Sequence, residues 1–136
     1  PTMLIFDASN RDQCEVQRGR TNTPLQALVM MNDPHVLESS RVLASRFLHE
    51  KGNIEEKLTR AFRRIICRDP KENELIMLKK YYSDEQAFFL RNPKKILKLM
   101  KIGEYKQDKA AVTESTAALM LTIQLIYNME EAIMRG

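Results

Sequence analysis

The sequence predicts an all-α protein, a compact bundle of about five helices with an extended N-terminal arm. Three observations carry this prediction. Breakers are scarce, with 4 glycines and 5 prolines in 136 residues, while Leu, Met, Glu and Lys are plentiful. Apolar residues recur at helical spacing through four successive segments. One segment near the C-terminus is apolar around its whole circumference, as a surrounded central helix must be. A chain of this length can bury one real core without staples. The division expected is an arm over 1–22, part of a larger truncated unit, and a bundle over 23–136.

The arm opens with the apolar run Met3-Leu4-Ile5-Phe6, followed by turn formers from Asp7 to Asp12. It is too short to form a sheet, so Leu4 and Phe6 are expected to pack on the helices. Asp7, Ser9 and Asp12 have a faint look of a calcium loop. The glycine and closing glutamate that such a loop needs are missing, which makes this a plain turn.

Each helix start is written in capping chemistry. Thr23, Pro24 and Gln26 form a capping box with a proline at the first position, opening a short helix over Leu25–Met31. Asp33 and Pro34 repeat the device for a helix to about Glu50. Its apolar face is Val36, Leu37, Leu43, Ala44, Phe47 and Leu48, with Arg41, Ser45 and Arg46 placed elsewhere, and Lys51-Gly52 as its stop. Asn53 caps a third helix from Ile54 to Arg68, whose stripe is Ile54, Leu58, Ala61, Phe62 and Ile65. Asp69-Pro70 opens a helix of about twenty residues, with Leu75, Leu78, Tyr82 and Phe89 on one face, ended by Asn92-Pro93. Lys94 to Ile102 forms a short amphipathic helix stopped by Gly103. A last helix is expected from about Asp108 to Met134, and nine of the eleven residues from Ala117 to Tyr127 are apolar.

The net charge of +4 is unevenly placed. Residues 91–109 hold seven basic and two acidic side chains, a local +5. A solvated helix face is the plain reading, and Lys94, Lys95 and Lys98 are the possible anion contacts if a polyanion binds. Arg60, Arg64 and Arg68, at i, i+4 and i+8, form a second stripe that can face phosphates or carboxylates. Few aromatics are interleaved with these cations, which argues against base stacking and against nucleic acid as the partner. No run of about 20 apolar residues exists, so no membrane span is expected.

Catalytic and metal motifs are missing from the pattern. His35 and His49 have no Cys or carboxylate at ligand spacing, so no metal is expected. No nucleophile elbow, phosphate-binding loop or dinucleotide fingerprint occurs, and no cofactor is expected in this piece. Glu55-Glu56 and Glu130-Glu131 are sequence neighbours that point about 100° apart on a helix, which suits solvated faces. Cys14 and Cys67 fit either redox compartment. A bridge between them would contribute on the order of 4 kcal/mol, but Cys67 falls on the apolar side of its helix and reads as a buried free thiol.

The most unusual stretch runs from Arg18 to Leu28. Arg18, Arg20, Asn22 and Gln26, with Asn32 and Asp33 beyond, hold more polar groups than capping requires. They suit a functional surface, or a hydrogen-bonded joint that fixes the arm to the bundle. With Phe6-Asp7-Ala8, Arg11 and Cys14, the run Arg20-Thr21-Asn22-Thr23-Pro24-Leu25-Gln26-Ala27-Leu28 resembles the domain of unknown function 1553 family. Asn32-Asp33-Pro34, Ala61-Phe62-Arg63, Arg68-x-Pro70-x-x-x-Glu74, Gly103-Glu104 and Tyr127-Asn128-Met129-Glu130-Glu131 fit the same family. Cys67 departs from it, standing where relatives tend to have a small residue.

The resemblance implies the C-terminal part of a large bacterial protein of planctomycete type, with an upstream cytochrome-like domain. It also implies export, hence a periplasmic or extracellular location. It carries no catalytic residue over. The first residue is Pro1 rather than Met, and the chain is expected to begin inside that longer protein. The function expected is a structural or interaction module partnered by the upstream domains of its parent. Two alternatives stand beside it. One is part of an enzyme on extracellular polysaccharide or another polymer, completed by the six polar residues from Arg18 to Asp33. The other is binding of nucleic acid or another polyanion through 91–109.

Overall fold

The computed structural model describes residues 32–106 and 109–133, and every described regular element is helical. These are α1 (Pro34–His49), α2 (Ile54–Ile66), α3 (Glu72–Arg91), α4 (Pro93–Met100), α5 (Glu114–Tyr127) and α6 (Glu130–Ile133), with a 3-10 turn at Lys109–Ala111. The arm, the helix over Leu25–Met31, Cys14 and the calcium-like turn all lie outside the described residues.

The apolar α5 is the axis of the bundle. Ala117, Ala118, Leu119, Met120, Ile123 and Ile126 are fully buried. Helices α1 and α3 pack most heavily against it, while α2 and α4 complete the wall and α6 closes against α2 and α5. The facing side chains are Ala44 and Phe47 of α1, Leu58, Ala61 and Phe62 of α2, Leu78, Tyr82 and Phe89 of α3, and Ile96 and Met100 of α4. Burying each larger one contributes about 1.5–3 kcal/mol. Thr122 Oγ1 lies inside this wall and donates to Ala118 O at 2.8 Å, so its hydroxyl is satisfied within α5.

Two caps follow the sequence closely. Asp33 Oδ1 accepts from His35 N at 2.8 Å, with Pro34 opening α1. Asn53 Oδ1 accepts from Glu56 N at 2.8 Å, and Glu56 Oε2 accepts from Asn53 N at 3.2 Å, a reciprocal box at the head of α2.

Three boundaries differ from expectation. α2 ends at Ile66 instead of Arg68, because Cys67 adopts the left-handed conformation with φ 64° and ψ 23°. Cys67 is therefore exposed and free, not buried on the helix. α3 begins at Glu72, not at Pro70, since Asp69 is drawn to Arg63 at 2.7 Å and Glu74 Oε2 takes Lys71 N at 2.7 Å.

The expected final helix is divided. Thr113 is extended and caps α5 by accepting from Thr116 N at 3.2 Å. At the other end, Asn128 N is shared between the carbonyls of Gln124 and Leu125, and Asn128 Nδ2 donates back to Gln124 O at 3.1 Å. These local bonds close the last turn and stop the helix.

Candidate functional site

Arg41 lies on the core side of α1, against the expectation that it falls off the apolar face. It is 1% exposed. The spacing does contain the signal: Arg41 is four residues after Leu37 and three before Ala44, so all three share a face. A cation placed there needs partners. Arg41 Nη2 donates to Tyr105 O at 2.6 Å and lies 3.9 Å from Glu38 Oε1. Glu38 Oε1 in turn accepts from Tyr105 N. Two side chains one helical turn apart thus hold both backbone groups of a single residue.

Gly103 makes this approach possible. Its φ is +91°, and a Cβ there would lie 2.7 Å from Glu38 Cδ. Only glycine fits both the conformation and the contact. The result is an exposed tyrosine on a tethered loop: Tyr105 is 59% exposed although its backbone is clamped.

Tyr105 borders three clefts. One, of about 350 Å³, includes His35, Glu38, Ser39, Arg46, Arg64 and Tyr127. A second runs along α1 past Arg46 to His49 and Lys106. The third, of about 700 Å³, is lined by the apolar Leu97, Met100 and Val112 and by the charged Lys101, Glu104, Lys106 and Lys109. His35, Ser39, Val42, Arg46 and His49 recur at steps of four and three, so one stripe of α1 faces the first two clefts. Burial pushes the Tyr127 hydroxyl above its ordinary value, and the positive charge of Arg64 pulls partly against that.

The arginine stripe of α2 is divided among different partners. Arg60 pairs with Glu50 and donates to Lys51 O at 2.7 Å. Arg68, beyond the helix end, uses all five N–H bonds on Glu74, Glu131 and the Asp69 carbonyl. Arg64 borders the 350 Å³ cleft beside Tyr105, while Arg60 borders a separate hollow with Glu55, Glu56 and Arg63. On α4, Lys94 and Lys98 are exposed, and Lys95 Nζ lies 4.7 Å from the Phe88 ring centroid. Asn32 is exposed and Asp33 serves as the α1 cap. Arg18, Arg20, Asn22 and Gln26 lie outside the described residues.

Among the described residues, no three His, Cys, Asp or Glu side chains converge as a metal set. None of the described helices is long and apolar enough to cross a membrane.

Fold and site together define an all-α module that presents a clamped tyrosine among cationic clefts. The chain belongs to the family PSD1, described as protein of unknown function (DUF1553), whose model matches residues 1–82. No curated protein and no solved structure matched the chain. Tyr105, its glycine hinge and Glu131 all lie beyond the matched stretch.

Proposed function

We propose that this chain is a structural and interaction module of a larger exported protein, docking onto that protein's upstream domains through the surface around Tyr105. One observation carries the reading: a buried Arg41 and its neighbour Glu38 hold the backbone of a residue whose ring is 59% exposed. A rigid, exposed tyrosine is the type of side chain that dominates protein interfaces, because it adds large contact area with little entropy to lose. Leu97, which lines the same cleft, is 56% exposed, and three lysines against one glutamate there favour an acidic partner surface. The exported setting rests on the family resemblance.

The test is association of the 136-residue chain with the separately expressed upstream part of its parent. Binding is expected, and Tyr105→Ala should weaken it by about tenfold or more, the effect of an interface anchor. No association of the wild-type chain at high micromolar concentration overturns the proposal.

A further inference from the structure

Among the described residues, six ion pairs tie Arg41, Arg60, Arg63, Arg68 and Lys79 to carboxylates. Arg46 of α1 and Arg64 of α2 are in none of them, yet both border the same 350 Å³ cleft. Two like charges from different helices that border one hollow repel each other, and an anion between them relieves that repulsion. Among the described lining residues the carboxylate is Glu38, whose Oε1 accepts from Tyr105 N and lies 3.9 Å from the Arg41 guanidinium. His35 adds ring nitrogens from the first turn of α1, and Tyr127 adds a hydroxyl. All remaining polar groups of the hollow can therefore donate.

From this we infer that the α1–α2 cleft is a binding site for a small oxyanion of carboxylate or phosphate type, held between Arg46 and Arg64. Guanidinium groups match such anions because their paired N–H bonds meet two oxygens at once. The volume is at the lower end of small-ligand pockets, which suits a compact anion and not a polymer. The cleft shares Tyr105 with the docking surface, but the two readings fail independently, since Tyr105→Ala removes the ring and leaves both guanidiniums in place.

The experiment follows the arginine Nε–Hε signals of the 136-residue chain by NMR. Sodium phosphate and, separately, sodium succinate are added at constant ionic strength, with sodium chloride as control. Saturable shifts at Arg46 and Arg64 are expected, and a response to only one of the two anions assigns the phosphate or the carboxylate source. Arg46→Gln and Arg64→Gln should each abolish saturation, while Arg91→Gln, at an exposed arginine away from the cleft, should not. Both cleft arginines are exposed, so these variants should keep the helical circular dichroism of the parent chain. Shifts that rise without saturation, or that move Arg91 as strongly as Arg46 and Arg64, mark a general counterion response and overturn the inference.

Discussion

Arg68 and Glu131 stand 63 positions apart in sequence and meet in a two-point fork, Nε to Oε2 and Nη2 to Oε1, each at 2.8 Å. The same guanidinium grips Glu74 at 2.8 and 2.9 Å and lies 5.0 Å from the Phe62 ring centroid. One side chain therefore joins the end of α2, the start of α3 and the last described helix. Arg68→Ala should lower the thermal midpoint. Arg68→Lys should fall nearer to Ala than to wild type, because an ammonium cannot make two forks. Differential scanning calorimetry of the three proteins checks the order.

Acid should loosen the same clasp. The Arg68 forks and the Lys71 N–H hold the Glu74 carboxyl at about 2, well below its ordinary 4.5, and Arg68 also lowers Glu131. Carboxylates depressed in the folded state stabilise it fully above their unfolded value and lose that effect as pH falls toward the folded one. The urea midpoint should decline between about pH 4.5 and 2. In Arg68→Ala that decline should be shallower. Equal slopes in the two proteins would refute the assignment.

Cys67 holds a left-handed conformation that an L side chain adopts at a cost of about 1–2 kcal/mol. Cys67→Gly should stabilise the chain by up to about 1 kcal/mol, after allowance for the greater freedom of glycine in the unfolded state. Cys67→Val should destabilise it, since a β-branched residue fits that region worst. Urea titration reads both changes.

Core and surface leucines should respond oppositely. Leu119 is fully buried in α5, and Leu119→Ala should cost about 2–5 kcal/mol. Leu97→Ala, at an exposed position, should stay within about 0.5 kcal/mol of wild type in stability. It should nevertheless weaken association with the upstream domains. Chemical denaturation and a binding titration of the same variants separate the two effects.

The Tyr105 clamp predicts a slow amide. Its N–H is bonded to Glu38, so Glu38→Gln should speed hydrogen exchange at Tyr105 selectively. Gly103→Ala should speed it further and lower stability by about 1 kcal/mol or more, since the added methyl meets the Glu38 side chain at a positive φ. Unchanged exchange in both variants would show that the loop is held by something else.

Much of the architecture was legible. Asp33 and Asn53 cap where their side chains predict, and the stripes Leu58–Ala61–Phe62 and Leu78–Tyr82–Phe89 are buried as their spacing requires. The misreadings have physical causes. Asp69 looked like a cap but found a guanidinium, and Cys67 looked like a core residue but took the helix-ending conformation. Arg41 lies on the core face that its spacing from Leu37 and Ala44 defines, because the Tyr105 carbonyl and Glu38 give its charge partners there. Tyr105 gave no local signal at all, since its importance comes from Glu38 and Arg41, over 60 positions away. The candidate polar surface of Arg18, Arg20, Asn22 and Gln26 lies outside the described residues.

By itself the sequence determined the helices, their caps, the buried stripes and the surrounded character of 117–127, because each depends on neighbours within about four residues. Only the tertiary structure decided which arginines are clasps and which face a cleft, and that an exposed tyrosine is held from inside the core. Those outcomes depend on pairing across 63, 64 and 67 positions, which arises only once α1 and α2 have closed around α5. Charge and hydrogen-bond complementarity at such separations is a property of the packed bundle, and no local pattern along the chain encodes it.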